Sequence, residues 1–143
     1  MSPQFQTVFT VEDYYDGPRA GIANHAGLPH YYRSIYLDLP DWNPDEDRFE
    51  LSPVSPEVVA AALEAAEIFN RWNNSEPRTA GLVIPDDEFG ALPADRARRQ
   101  ELTRFLERSY AVATKAGRVL VRGEFQPCPA SPSGFQVRWT PAE

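Results

Sequence analysis

The sequence predicts an α+β domain in which a mostly antiparallel sheet packs against two helices. Three observations carry this. Segments rich in β-branched and aromatic residues alternate with Gly-Pro turns before residue 55 and again after residue 117. Between them lie two stretches whose apolar residues recur at helical spacing. The resulting order, four strands, two helices, two strands, fits one sheet with helices segregated to one side.

Taken in order, Thr7 to Glu12 (Thr-Val-Phe-Thr-Val-Glu) reads as a first strand, and Asp16-Gly17-Pro18 turns the chain. Arg19 to His25 forms a second strand and Ala26-Gly27-Leu28-Pro29 a second turn. His30 to Leu39 is the clearest strand. Its alternation places Tyr31, Arg33, Ile35, Leu37 and Leu39 toward the core, and His30, Tyr32, Ser34, Tyr36 and Asp38 outward. Arg48 to Val54 is a fourth strand, with Phe49 and Leu51 inward.

Ser55-Pro56-Glu57 is a helix start, with Ser as N-cap, Pro in the first turn and Glu near the positive dipole end. Val58, Ala62, Ala65, Phe69 and Trp72 then mark a buried stripe, and Asn73-Asn74-Ser75 with Pro77 ends the helix. A connection follows from Pro77 to Pro93. The second helix runs from about Ala94 to Lys115, with Leu102, Phe105, Leu106, Ser109 and Val112 or Ala113 buried and Gly117 closing it. Arg118 to Phe125 and Phe135 to Thr140 alternate as a hairpin around a proline-rich turn. One face of that hairpin carries Val119, Val121, Phe125, Phe135, Val137 and Trp139.

At 143 residues the chain reads as a single domain, 1–143, with no internal repeat. No apolar run is long enough to span a bilayer, and the start, Met-Ser-Pro-Gln-Phe-Gln-Thr, lacks the pattern of a signal peptide. With a lone cysteine, Cys128, this predicts a cytoplasmic protein. The formal net charge of −7 resides entirely in residues 1–60, which hold ten acidic groups and three basic ones; residues 61–143 hold eleven of each. An acidic front half disfavours nonspecific binding to nucleic acid or anionic lipid and favours a basic protein partner. The thirteen arginines against one lysine, with abundant alanine and proline, read as the codon usage of a GC-rich bacterial genome.

The chemistry-bearing residues concentrate between Asp13 and Tyr36, where five tyrosines, both histidines and two arginines fall within 24 residues. The first functional reading is a non-enzymatic accessory, inhibitor or immunity-like domain that contacts another protein. Tyr14, Tyr15, Arg19, His30, Tyr32, Tyr36 and Trp42 are its candidate binding residues, because Tyr, Trp and Arg concentrate interface energy. The alternative is a small enzyme with a site around Asp13, Asp16, Arg19, His25 and His30, since a His–Asp pair suits general-base work. A third reading takes Arg118, Arg122 and Arg138, on the outward face of the last hairpin, as a site for nucleotide or nucleic acid.

No spacing in the chain matches a catalytic, metal or phosphate-loop motif, so no metal or cofactor is expected. Asp41, Asn43, Asp45 and Asp47 follow calcium-loop spacing. The glycine and glutamate that such loops need are Glu46 and Ser52 here, so the segment reads as a solvated acidic turn. The Tyr15-Asp-Gly-Pro-Arg, Gly21-Ile-Ala and Gly27-Leu-Pro-His-Tyr31 pattern resembles the opening of a family of short bacterial proteins. That resemblance implies a recurrent small bacterial domain and carries no activity, ligand or site.

Overall fold

The computed structural model describes residues 4–35, 47–75 and 90–142. Its strands are β1 (Phe5–Thr7), β2 (Asp13–Tyr14), β3 (Pro18–His25), β4 (Leu28–Ser34), β5 (Arg48–Pro53), β6 (Val119–Pro127) and β7 (Phe135–Pro141). Two helices, α1 (Pro56–Asn73) and α2 (Arg96–Ala116), separate β5 from β6, and a short 3-10 turn at Pro93–Asp95 leads into α2. The strands form one sheet in the order β1-β7-β6-β5-β4-β3-β2, every neighbouring pair antiparallel. The chain adopts the predicted α+β class, a mostly antiparallel sheet with two helices and a C-terminal hairpin, but five strands rather than four precede the helices.

The sheet curls until its two ends meet in one stretch of chain. Phe5–Thr7 pairs with β7. From the next residue the same stretch runs along β3 instead: Val8 bridges Ala23, the Phe9 amide donates to the Ile22 carbonyl and the Glu12 amide to that of Ala20. The single strand expected over Thr7–Glu12 is thus replaced by two short ones, β1 at its start and β2 after it, with Val8 making an isolated bridge and residues 9–12 running beside β3 outside any regular strand.

Inside the curl sits an aromatic core of Tyr32, Phe49 and Trp139 with Leu51, Val121 and Val137, all buried, and Phe125 packed against it. The rings meet tilted or edge-on at centroid distances such as 5.5 Å for Tyr32–Phe125 and 5.6 Å for Phe49–Trp139, and such pairs contribute about 0.5–1.5 kcal/mol each beyond area burial. Space for Trp139 comes from Gly123 on the facing strand, where a Cβ would lie 2.6 Å from the indole ring. The indole N–H donates to the Asn24 carbonyl at 2.9 Å, which ties β7 across to β3.

The helices cover the other face of the sheet. Ser55 caps α1, its hydroxyl accepting from the Val58 amide, as the Ser-Pro-Glu start predicts. Val58, Ala62 and Leu106 pack with Ile22 in a second apolar layer, and Ile68 and Leu102 enclose Ala91 in a third cluster. The buried stripes are slightly rotated from expectation. Ile68 is buried while Phe69 is 43% exposed, and Val112 on α2 and Val119 on β6 lie on the surface.

The face assignment of β4 is reversed. His30, Tyr32 and Ser34 point inward and are buried, whereas Tyr31 and Arg33 face the helix side and are half-buried. The alternation itself holds. Polarity misassigns the faces because both are covered, one by the aromatic core and the other by helices, so neither has to be polar. The Tyr32 hydroxyl is satisfied inside by donating to the Thr10 carbonyl at 2.9 Å. Leu37 and Leu39 lie outside the described residues.

Tyr32→Ala should cost about 3–5 kcal/mol of unfolding free energy and Tyr32→Phe about 1–2 kcal/mol, through the lost hydrogen bond alone. Gly21→Ala should destabilise by about 3 kcal/mol or more, because its Cβ would stand 2.2 Å from the Thr10 carbonyl oxygen. Urea midpoints measure all three, and an unchanged midpoint for Gly21→Ala would contradict the close crossing of these two strands.

Candidate functional site

Thr10 and Glu12 lie two apart on the segment that runs along β3, so their side chains share a side. The Thr10 hydroxyl donates to Glu12 Oε2 at 2.8 Å and accepts from the Ile22 amide at 3.0 Å. From α2, the Tyr110 hydroxyl reaches the same carboxylate, 2.9 Å from Oε1 and 2.8 Å from Oε2. The Tyr110 ring stacks on Tyr31 of β4 with centroids 3.9 Å apart and planes 11° from parallel. Three parts of the chain thus converge on one carboxylate.

They border a cleft of about 610 Å3 between the sheet and α2. Thr103, Leu106, Glu107 and Tyr110 line it from α2, at the three- and four-residue spacings that define one helix face, while Asp13 and Arg33 complete the sheet side. Burial raises the Glu12 carboxyl above its ordinary value, outweighing the hydroxyls of Thr10 and Tyr110 that favour its charged form. Burial and then the Glu12 charge push the Tyr110 phenol well up. Tyr31 is raised for the same two reasons, with Asp13 adding to the shift and Arg33 opposing it. Chemically this is a positioned carboxyl that can keep its proton closer to neutral pH than a free glutamate, or hold a cation as its carboxylate.

Of the residues expected to form an exposed binding platform, Arg19, His30 and Tyr32 are buried instead. Arg19 is buried, donating from Nε to the Tyr15 carbonyl at 2.7 Å and from its Nη2 to the Asp16 carbonyl at 2.9 Å, so it clamps the turn before β3. Tyr32 belongs to the aromatic core and His30 is buried beneath the β3–β4 turn, its Nδ1 2.9 Å from the Leu28 carbonyl. Tyr14 and Tyr15 are exposed, at 62% and 63%. Tyr14, Arg19 and Asp16 border a second cleft of about 390 Å3 with Phe49, Phe125 and Phe135. Tyr36 and Trp42 lie outside the described residues.

The alternative catalytic group does not assemble either. His25 and His30 do meet, as their hairpin predicts, with rings edge-on at 5.1 Å between centroids. Burial and the neighbouring His30 lower the His25 pKa. Yet Asp16 and Arg19 stand at the start of β3 and His25 at its end, six residues or about 20 Å of strand apart. Among the described residues no group of three metal-ligating side chains forms, and no helix is long and apolar enough to cross a membrane. The outward arginines of the last hairpin all face carboxylates: Arg118 pairs with Glu50 at 3.0 Å, Arg122 with Asp47 at 2.8 Å, and Arg138 with Glu124.

Among the described residues, Asp13 is the one that an expected site shares with the observed cleft. Glu12 and Tyr110 carry no sequence signal, because the contact joins positions 98 apart through the packing of α2. Tyr31 adjoins a residue that was expected, on the opposite face of the strand.

Because its folded-state pKa is raised, the carboxyl of Glu12 contributes stability that is fully present below its ordinary value of 4.5 and is lost as pH rises through the raised value. The difference in melting temperature between the wild type and Glu12→Gln should therefore fall as pH rises through that window. A pH-independent difference would show that the carboxyl titrates as in the unfolded chain.

Comparison with protein-family models, with curated proteins and with solved structures finds no match, so a functional reading rests on the geometry of the cleft.

Proposed function

We propose that this domain is a non-enzymatic protein-binding module that takes a basic side chain of its partner into the cleft at Glu12, Tyr31 and Tyr110. The observation that carries the reading is the Glu12 carboxylate, open to solvent at the cleft and held in place by the hydroxyls of Thr10 and Tyr110. A carboxylate in that position gains from a counter-ion, and a guanidinium or ammonium entering the cleft supplies one. Asp13 and Glu107 add negative charge around the opening, against Arg33. The site is assembled before the partner arrives, so little ordering entropy opposes capture. The net charge of −7 attracts a basic partner at long range. An accessory, inhibitor or immunity-like role fits a module of this kind.

A photo-crosslinking residue at Thr103, on the cleft wall, tests this in the native host, with Ala130, exposed in the β6–β7 turn and not part of the cleft lining, as the control position. A discrete adduct should form from position 103 and not from 130. Its yield should fall as salt rises, and Glu12→Gln combined with Asp13→Asn should lower partner affinity about tenfold or more. Absence of an adduct at 103, or one indifferent to that double substitution, would sink the proposal. Lower pH should weaken capture as Glu12 takes up its proton.

A further inference from the structure

We infer that the outer face of α1 and α2 is the interface of a two-fold homodimer, a surface separate from the Glu12 cleft. Two grooves run along this face. One, of about 640 Å3, is lined by Glu57, Ala60 and Ala61 of α1 and by Arg104, Phe105 and Arg108 of α2. The other, of about 610 Å3, shares Phe105 and Arg108 and continues past Val112 and Ala113 toward Ala116. Val112 at the centre of that apolar strip is 69% exposed. The small side chains at 60 and 61 leave room for a second helix to approach closely.

The charges of the face select a second copy of this chain as its occupant. Glu57 stands on the α1 wall, Arg104 and Arg108 on the α2 wall, and none of the three makes an ion pair among the described residues. The neighbouring Arg98, by contrast, is already engaged by Glu64 and Glu101 of its own chain. An acid on one wall and bases on the other is the pattern a two-fold contact requires, because each patch must complement itself. A two-fold axis lying in this face, between and parallel to the helices, sets α1 of each copy on α2 of the other. Glu57 then opposes Arg104 and Arg108 of the second copy, and the contact is made twice. Helices of 18 and 21 residues side by side present a face of about 30 by 20 Å, on the scale of the ~800 Å2 per partner of a specific interface.

Sedimentation equilibrium of the purified chain from about 1 µM to 1 mM tests this. At the upper end the mass should reach twice the 16.1 kDa of the chain. Arg108→Glu alone and Glu57→Arg alone should each raise the dimer dissociation constant about tenfold or more, and the two together should restore it to within about threefold. Val112→Asp supplies a second disruption without touching the ion pairs, and far-UV circular dichroism confirms that each variant folds. A single species of 16.1 kDa across the whole range overturns the inference. So does a dimer that ignores the charge reversals or that the double reversal fails to restore. Glu12→Gln should leave the dimer unchanged, which separates this outcome from that of the cleft.

Discussion

The crossing of Thr10 over Gly21 is the constraint on which the rest of this structure depends. Residues 5–14 must pair first with β7 and then with β3, and the change of partner brings the Thr10 backbone against β3. Gly21 makes the approach possible by having no Cβ to meet the Thr10 carbonyl. That carbonyl then accepts the Tyr32 hydroxyl, and the Thr10 hydroxyl takes the Ile22 amide. One residue thus closes the sheet, satisfies the most polar atom of the aromatic core and starts the network that ends at Glu12. Each bond alone contributes about 1 kcal/mol; together they hold the Thr10 segment against β3 and β4.

Closure also decides where the two apolar layers lie. Once the sheet curls, its concave face can be filled only by side chains that reach its centre, and Tyr32, Phe49 and Trp139 do so, with Gly123 leaving room for the indole. The convex face is too broad to leave bare, and α1 and α2 cover the side formed by β3 to β5 through Ile22, Val58, Ala62 and Leu106. The Glu12 cleft sits at the margin of that helical layer, where Tyr31 and Tyr110 stack instead of interdigitating with aliphatic neighbours. A polar cluster is tolerated there because each of its oxygens finds a donor or acceptor.

Surface charge is largely neutralised where the helices and the last hairpin meet solvent, since Arg71, Arg98, Arg118, Arg122 and Arg138 each face a carboxylate. Exposed pairs of this kind contribute little stability, but they consume the cations that could otherwise have held a phosphate. What remains unneutralised is therefore more informative than what is paired. Glu12 sits in a preformed cleft held by hydroxyls, with no ion pair of its own among the described residues, and the α1–α2 face carries an acid on one wall and bases on the other.

The sequence by itself determined the α+β class, the order of elements, the Ser55 cap of α1, the inward Phe49 and Leu51, and the pairing of β6 with β7. These depend on spacing and turn chemistry within a few residues of one another, and local steric rules suffice to read them. It also allowed His25 and His30 to approach one another if they bracket a hairpin, which they do. Only tertiary structure decided which face of β4 points inward, since a strand covered on both sides has no polar face to betray its orientation. Only tertiary structure buried Arg19 and Tyr32 and brought Tyr110 to Glu12, because these contacts depend on how the sheet closes and where a distant helix lies across it. The site was illegible for that reason: the partners are far apart along the chain, and no local pattern requires them to meet.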